Sequence, residues 1–408
     1  MTKFVWQKRL HSLNRPDGPL VNHLAQFERL LTEQDYPQES IRRHLRLVAD
    51  FSVWLKARKL SLKQVTSNSA ECYLRCRARY RERRAGNAQA LRRFIEQLQH
   101  DGLIKRETPV AQTPVEQLVG EYSSYLHQER GLAAPTISKY MWAARLFLMK
   151  QQGATGKDLS GLSAQRVIRF IQSLSGDTQA QRVATGLRSF LRYARYRGYI
   201  QLDLAAAVPW VASWSMTSIP KAIAPEYARR VLARCDRRRA VGRRDYAMLM
   251  LLARLGLRAG EVASLTLDDI DWHAGTLTIH GKGAQESPLP LLAPVGAAIA
   301  AYLTRGRPRC ESRRVFLRMH APIRGFKTAR PVSSAVERAL AYAGINSPHK
   351  GAHQFRHALA SHMLRHKSSF AEIGEILRHK SPDTTRIYAK VDLTSLRTLA
   401  PPWPRVRA

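Results

Sequence analysis

The stretch LRHKSPDTTRIYAKVD, residues 377–392, places His379 nine positions before Tyr388 in a very basic chain. A tyrosine hydroxyl can act as a nucleophile that forms a covalent intermediate, and an imidazole can exchange protons near neutral pH. The same stretch also fits a plain helix, because Ser381 and Pro382 are typical of an N-cap and a first helical position. On that alternative Tyr388 packs on a core and His379 interacts with a helix C-terminus. Residues elsewhere in the chain are needed to choose between a catalytic and a structural role for Tyr388.

An ordered set of candidate catalytic residues precedes this stretch. RLGLRAGEVASL carries Arg258 and Glu261, and HGKGAQE carries Lys282 between two glycines. HQFRH then supplies His353, Arg356 and His357. A His-x-x-Arg pair alone is uninformative, since helical spacing in an arginine-rich chain produces such pairs freely. The order of the whole set is informative, because independent structural causes rarely generate all of its members in sequence.

That order, with its local settings, resembles the tyrosine recombinases, also called the phage-integrase family. The resemblance covers roughly residues 216–400 and, more loosely, the helical region before them, which looks like the family's core-binding domain. It implies an enzyme that cuts and rejoins duplex DNA. The residues that match the family motifs are Arg258 for the first arginine, Lys282 for the hairpin lysine, His353 and Arg356 for the His-x-x-Arg box, His379 for the second histidine or tryptophan, and Tyr388 for the nucleophile.

Elementary chemistry agrees with these roles. Cleaving a phosphodiester without a metal needs cations around the non-bridging oxygens, an in-line nucleophile, and an acid for the leaving 5′ oxygen. Arg258 and Arg356 can each donate paired, charge-assisted hydrogen bonds to a phosphate. Lys282 can reach the leaving oxygen as general acid, because the flanking glycines permit a close approach. Attack by Tyr388 would leave a 3′-phosphotyrosine and a free 5′ hydroxyl.

Three histidines and a glutamate complete the predicted site. We expect His353 to assist proton transfer from the tyrosine hydroxyl and His379 to donate to a phosphate oxygen. Glu261 is expected to orient Arg258 one helical turn away, and His357 to buttress the site by packing. Many relatives carry further basic residues after the hairpin lysine, whereas this chain has Gln285, Glu286 and Ser287. Contact between this turn and the DNA backbone is therefore expected to be weaker.

The composition of the chain indicates a polyanionic partner. Its 408 residues include 67 Lys and Arg against 31 Asp and Glu, a formal net charge of +36. Such a molecule attracts nucleic acid over long range and releases counterions on binding it. There is no apolar run long enough for a bilayer and no secretory core, so a cytoplasmic, nucleoid-associated protein is expected. Its 4 cysteines give neither a disulfide framework nor a zinc ligand set, and no metal or nucleotide cofactor is expected.

The N-terminal half repeats itself at an offset of 96 residues. SIRRHLRLVADF, from residue 40, aligns with TISKYMWAARLF, and ALRRFIEQLQHDGLI, from residue 90, aligns with GLRSFLRYARYRGYI. We therefore expect two helical domains of one kind, 1–109 and 110–215, and then a catalytic domain, 216–408. Two unrelated amphipathic bundles are the alternative. The predicted fold class is mainly α with a small β-sheet: two SAM-like core-binding-type domains in tandem, followed by an α+β tyrosine-recombinase catalytic domain.

A run of arginines marks a candidate DNA-binding surface in the first copy. RCRARYRERR, residues 75–84, spans about three helical turns and carries more charge than a solvated face requires. An ordinary exposed charge run is the alternative. The arginines are Arg75, Arg77, Arg79, Arg81, Arg83 and Arg84.

These features together predict a site-specific recombinase of a mobile element, acting in integration, excision or transposition. The expected partner is double-stranded DNA with specific inverted-repeat sites, and the family resemblance implies further copies of the chain in a tetramer on that DNA. Cooperation with other recombinases as partners is left open. The tail could dock on a neighbouring subunit through Val391, Leu396 and Leu399. Two alternatives remain open: a type IB topoisomerase-like enzyme that relaxes DNA, and a non-catalytic DNA-binding accessory protein. Whether residues 1–109 bind DNA or mediate oligomerisation also stays open.

Overall fold

A computed structural model gives the structure of the chain and describes residues 17–80, 86–105, 113–151, 159, 161–174, 177–211, 222–281, 286–347, 351–379 and 381–391. The chain divides into two compact units, one made of Met1–Ile104 with Ser218–Ala408 and one of Lys105–Thr217. Within the described ranges, no helix combines the length and the hydrophobicity needed to cross a bilayer.

The first part of the chain is a bundle of four helices. They are α1 (Leu24–Glu33), α2 (Gln38–Ala57), α3 (Ser67–Arg77) and α4 (Gly86–His100), with 3₁₀ turns at Val21–His23 and Leu62–Gln64. Local sequence sets the helix ends: the Thr66 hydroxyl accepts a hydrogen bond from the Ser69 backbone N–H at the start of α3. Phe27, Phe51 and Phe94 are fully buried and form the centre of the core.

The second unit is also a four-helix bundle. Its helices are α5 (Pro114–Gln128), α6 (Ala134–Lys150), α7 (Ala164–Gln172) and α8 (Asp177–Tyr196). Thr113 caps α5 just before a proline at the first helical position, and Ser163 caps α7. Tyr122, Phe147 and Phe190 are buried in its core.

The two bundles bury equivalent residues at the predicted offset. The buried pairs are Ile41 and Ile137, Phe51 and Phe147, Phe94 and Phe190, and Ile104 and Ile200. The ring centres of Phe27 and Phe94 meet edge to face at 5.0 Å, and those of Tyr122 and Phe190 meet in the same way at 5.3 Å. Each bundle therefore has an edge-to-face aromatic contact between its first and last helices. The domain boundaries at residues 109 and 215 stay predictions.

Residues 222–391 contain the remaining elements. The helices are α9 (Pro225–Ala233), α10 (Ala240–Arg254), α11 (Ala259–Ser264), α12 (Ala293–Arg305), α13 (Arg330–Tyr342), α14 (His353–Arg365), α15 (Phe370–Ile376) and α16 (Pro382–Arg386). The strands are β1 (Ile270–Asp271), β2 (Thr276–His280) and β3 (Glu286–Pro290), and 3₁₀ turns occupy Leu267–Asp269 and Ile387–Val391. The mainly helical fold class with one small sheet is confirmed.

Helix α10 is the central element of this region. It is buried along most of its length and packs against α12, α13 and α14. The sheet is antiparallel in the order β1-β2-β3, with Leu277 of β2 opposite Ile270 and Leu289. Leu277 and Ile279 point into the core because side chains alternate along a strand. This core positions α11, which begins after Arg258 and contains Glu261, and α14, which contains His353, Arg356 and His357.

Candidate active site

Arg258 and Glu261 meet at the start of α11. Arg258 is the N-cap of the helix, and Glu261, three residues on, is buried. The Glu261 Oε2 atom accepts a hydrogen bond from the Arg258 backbone N–H at 2.8 Å, and its Oε1 atom accepts one from Arg258 Nη1 at 2.7 Å. A carboxylate at this position commonly reaches back to the N-cap. The local sequence thus fixes the Arg258 guanidinium, whose side chain remains 41% exposed.

A second arginine, Arg378, holds the same carboxylate. Its Nη2 atom donates to Glu261 Oε2 at 2.8 Å, and its side chain is only 11% exposed. Burial raises the pKa of Glu261, but the hydrogen bond from the Arg258 backbone and the charges of Arg378 and Arg258 outweigh burial, so that pKa lies below its ordinary value. The carboxylate is therefore ionised at neutral pH and ties two guanidinium groups together.

Arg356 lies on α14 and is buried at the centre of the site. Its Nη1 atom donates to the Gly256 carbonyl at 2.6 Å, and its Nη2 atom donates to the Leu377 carbonyl. Burial, followed by the charges of Arg258 and Arg378, lowers the pKa of Arg356 to about 10, so the group stays protonated at neutral pH. Arg356 thus joins three segments that are remote in sequence: the turn before α11, helix α14 and the end of α15.

Tyr388 lies in the 3₁₀ turn that follows α16, and it is 1% exposed. Its ring packs in an apolar cluster with residues of α14 and α15. Its hydroxyl lies 3.0 Å from Nδ1 of His357. Burial raises the pKa of Tyr388, an effect that the charge of Arg356 opposes. The hydroxyl is therefore protonated at neutral pH and needs a base before it can act as a nucleophile.

The histidine at the tyrosine hydroxyl is His357, whereas the sequence predicted a proton-transfer role for His353. Both lie on α14, one turn apart, with ring centres separated by 6.3 Å. Burial, then the charges of His353 and Arg356, lowers the pKa of His357 below 6.5. The imidazole is thus neutral at neutral pH and can accept a proton. Burial, then the charges of Arg356 and Arg258, lowers the pKa of His353 as well.

His379 lies parallel to the Tyr388 ring, with ring centres 6.5 Å apart and planes at 7°. Its Nδ1 atom is 2.7 Å from the hydroxyl of the buried Thr385 on α16. Burial, followed by the charges of Arg356 and Arg258, lowers the pKa of His379 to about 4. At neutral pH the ring is uncharged and still carries one N–H group that it can donate.

Several predicted residues lie outside the described part of the chain. They are Lys282, Arg81, Arg83, Arg84, Leu396 and Leu399, together with the side chain of Val391. The roles predicted for them stay predictions. Of the hairpin around Lys282, the described strands pair His280 with Glu286, and the His280 ring lies 2.8 Å from Asp269 Oδ1 and 3.4 Å from Glu286 Oε1. Glu286, which departs from the family pattern, therefore has a partner within the hairpin.

Three arginines of the predicted DNA-binding run are described. Arg75 and Arg79 are exposed. Arg77 instead donates through Nη1 to Asp50 Oδ2 at 2.8 Å and to the Tyr73 hydroxyl at 3.1 Å. Because Asp50 is buried on α2, this ion pair links α3 to α2 inside the bundle. Arg77 is engaged within the protein, whereas Arg75 and Arg79 face solvent.

Arg378 is the site residue that the sequence did not single out, although it directly precedes His379. Its backbone is left-handed, with φ 54°, a conformation in which glycine and asparagine are more usual. No motif links it to Glu261, which lies 117 residues earlier in the chain. The sequence feature that could have drawn attention to Arg378 is its position immediately before the candidate catalytic residue His379.

The chain is similar in sequence and in fold to known proteins. Residues 221–394 match the model of the phage integrase family. The chain is 47% identical over 395 residues to a Sinorhizobium fredii protein named integrase/recombinase y4rA, covering 95% of this chain and 96% of that protein. It is 32% identical over 311 residues to tyrosine recombinase XerD of Mycobacterium tuberculosis, covering 70% of this chain and 97% of XerD.

Solved structures with the same fold include two complexes with DNA. The XerH site-specific recombinase bound to the palindromic difH substrate, in a post-cleavage complex, matches with a TM-score of 0.56 at 20% identity and covers 72% of this chain and 90% of that one. A lambda integrase dimer bound to a COC′ core site matches with a TM-score of 0.52 at 15% identity and covers 71% of this chain and 98% of that one. At these identities the likeness establishes the fold.

These sequence relatives identify the chain as a DNA strand-transferase enzyme. The chain belongs to the phage integrase family, the tyrosine recombinases, as its 47% identity to y4rA over 95% of this chain shows.

Proposed function

We propose that this protein is a site-specific recombinase that cleaves and rejoins duplex DNA through a 3′-phosphotyrosyl link to Tyr388. The observation that carries the proposal is the Tyr388 hydroxyl held 3.0 Å from His357. Arg356 acts electrostatically on that hydroxyl, and His379 lies parallel to the ring. A protonated tyrosine beside a neutral histidine and a buried arginine is suited to attack on an anionic phosphate.

In the proposed step, Tyr388 Oη forms a bond to phosphorus while its proton passes to His357 Nδ1. The bond from phosphorus to the 5′ oxygen breaks, and Lys282 supplies the proton that this oxygen takes. Arg258 and Arg356 neutralise the charge that develops on the non-bridging oxygens. Each Nη atom of an arginine carries two N–H groups, so the bonds of Arg356 to backbone carbonyls leave donors for the phosphate. Attack by a free 5′ hydroxyl on the phosphotyrosine reverses the step and joins a strand.

The role we propose is recombination for a mobile element, by integration, excision or transposition. The structural relatives support an assembly on DNA, since their descriptions include a lambda integrase dimer on a core site and a lambda integrase tetramer on a Holliday junction. We propose that four copies of this chain act on two inverted-repeat sites. In this proposal the bundle of residues 1–109 adds phosphate contacts through Arg75 and Arg79 to those of residues 110–215 and 216–408.

The decisive experiment traps the covalent intermediate. The recognition site is first selected from a randomised duplex pool with the full-length protein. A nicked version of that duplex, which loses its short 5′ fragment on cleavage, then captures the protein on DNA. Wild type should give a covalent adduct at Tyr388 by peptide mapping, whereas Tyr388→Phe should bind the duplex and give none.

Tyr342→Phe serves as the matched control, because Tyr342 is exposed at the end of α13, a helix that contains none of the candidate catalytic residues. It should form the adduct at the wild-type rate. An undiminished adduct from Tyr388→Phe, or site-specific binding by wild type with no adduct at all, would remove the proposal.

A further inference from the structure

We propose that Arg378 is a positioning residue for DNA cleavage: it holds the Glu261 carboxylate, and Glu261 in turn holds Arg258 toward the scissile phosphate. This inference rests on the proposed function and adds to it a residue that contacts neither the DNA nor the tyrosine. The geometry, the charges and the backbone of Arg378 each support it.

The three side chains form a linear chain of ion pairs. Arg378 Nη2 donates to Glu261 Oε2 at 2.8 Å, and Arg258 Nη1 donates to Glu261 Oε1 at 2.7 Å. The side chains of Arg378 and Glu261 are only 11% and 7% exposed, whereas the Arg258 side chain is 41% exposed. Arg258 is thus the member that can reach DNA, and Arg378 lies behind the carboxylate. Holding both carboxylate oxygens leaves Glu261 with one orientation.

The charges give Arg378 a second effect. A buried carboxylate paired only with Arg258 would cancel the positive charge that the phosphate must meet. With Arg378 bound to the other oxygen, two guanidinium groups share one carboxylate and the cluster keeps a net positive charge. The effect is strong because charges interact more strongly where water is excluded.

The backbone of Arg378 is held in a conformation that its side chain does not favour. Its φ is 54°, at the turn between α15 and His379. The Arg378 N–H donates to the Glu375 carbonyl at 2.9 Å, and the His379 N–H donates to the Gly374 carbonyl at 2.8 Å. A left-handed arginine persists where its surroundings over-determine it, and such residues concentrate at functional sites. Arg378 therefore ties the segment that carries His379 to the segment that carries Arg258.

The test measures single-turnover cleavage of the nicked duplex with full-length protein. Arg378→Gly, which suits the left-handed backbone and removes the guanidinium, should slow cleavage by about tenfold or more, the loss typical of removing a group that orients a reacting one. Affinity for the same duplex should stay near that of wild type. Arg378→Lys, which keeps the charge, should recover part of the rate.

Lys367→Gly is the matched control. Lys367 is a second basic residue with a left-handed backbone, φ 65°, and it is exposed at the end of α14. Its replacement relieves the same kind of backbone conformation and removes the same charge without touching Glu261. It should cleave at the wild-type rate.

A double-mutant cycle separates positioning through Glu261 from direct action on DNA. If Arg378 acts through the carboxylate, Arg378→Gly should slow the Glu261→Gln protein by less than about twofold. The same tenfold loss in both backgrounds would mean that Arg378 acts on the DNA itself and would overturn the proposal.

Other outcomes are equally decisive. If the Arg378→Gly variant cleaves at the wild-type rate, the positioning role of Arg378 is overturned. The proposed function survives in that case, because the Tyr388 adduct still forms. Loss of the adduct in wild type would remove the proposed function instead. Should Arg378→Gly fail to fold, Arg378→Gln provides a second test, because it keeps a polar side chain but is too short and uncharged to replace the guanidinium at Glu261; its unimpaired cleavage overturns the proposal.

Discussion

At the scale of the residue, the candidate site contains both exposed and buried side chains. Arg258 is partly exposed, whereas Arg356 and Tyr388 are buried. Arg356 therefore has a structural role beside its proposed catalytic one, because removing it would leave the carbonyls of Gly256 and Leu377 without the hydrogen bonds that it donates. Loss of Arg356 should lower stability as well as activity, so cleavage defects at this position need a folding control.

The protonation state of His357 leads to a prediction about pH. If His357 accepts the tyrosine proton, cleavage should slow as the pH falls through its pKa, which lies below 6.5, because protonated imidazole cannot accept. His357→Gln should lower the rate at neutral pH by about a hundredfold, the lower end for loss of a general base. It should also abolish the decline of the rate at low pH, the acid limb of the pH profile. The measurement is the single-turnover cleavage rate across pH.

His353→Gln is the natural comparison, since His353 lies one turn away on the same helix. The acid limb of the His353→Gln variant should persist, and its rate at neutral pH should fall less than that of His357→Gln. A limb that survives His357→Gln and disappears in His353→Gln would return the proton-transfer role to His353, as the sequence predicted.

At the scale of the element, Gly256 allows the turn before α11 to approach the end of α15. Its φ is 61°, and a Cβ atom there would lie 2.7 Å from Leu377 Cδ2 and 3.0 Å from Leu359 Cδ2. The Gly256 carbonyl also accepts from Arg356. A side chain at residue 256 would push apart the two segments that Arg356 joins.

Gly256→Ala should therefore lower both the midpoint temperature of unfolding and the cleavage rate. The left-handed backbone alone costs roughly 1–2 kcal/mol for an L-residue, and the contacts with two leucines add to it. Gly275→Ala is the control, because Gly275 has φ 63° and open space where its Cβ would lie. It should lose stability through the backbone alone and cleave like wild type. Equal cleavage by the two variants would contradict this expectation.

The limits of prediction from sequence follow from what spacing encodes. Helical periodicity and the offset of 96 indicated which residues are buried in each bundle, such as Phe51 and Phe147, because burial repeats with the helix turn. Order along the chain brought out Arg258 and Arg356. Periodicity could not choose between His353 and His357, which share a helix face one turn apart. Nor could it reveal the contact of Arg378 with Glu261, which depends on tertiary packing and a left-handed backbone.

At the scale of the whole molecule, two four-helix bundles precede residues 222–391 in a chain with a net charge of +36. The two bundles bury equivalent residues, such as Phe51 and Phe147. The first bundle exposes Arg75 and Arg79, while Arg77 is occupied by Asp50. Among the three arginines of the run that the structure describes, Arg75 and Arg79 can be replaced without disturbing the ion pair with Asp50, so they are suited to test whether residues 1–109 contact DNA.

The double variant Arg75→Ala/Arg79→Ala of the full-length protein should bind its site more weakly and with a shallower salt dependence. The slope of the logarithm of the binding constant against that of salt concentration should fall by about two units, one for each DNA phosphate that an arginine no longer neutralises. Arg75→Lys/Arg79→Lys keeps both charges and should retain the wild-type slope. Cleavage of bound DNA should be unchanged in both, because the catalytic side chains are intact. If residues 1–109 instead hold the tetramer together, the slope should not change, and a protein starting near residue 110 should keep its footprint but lose pairing of two sites.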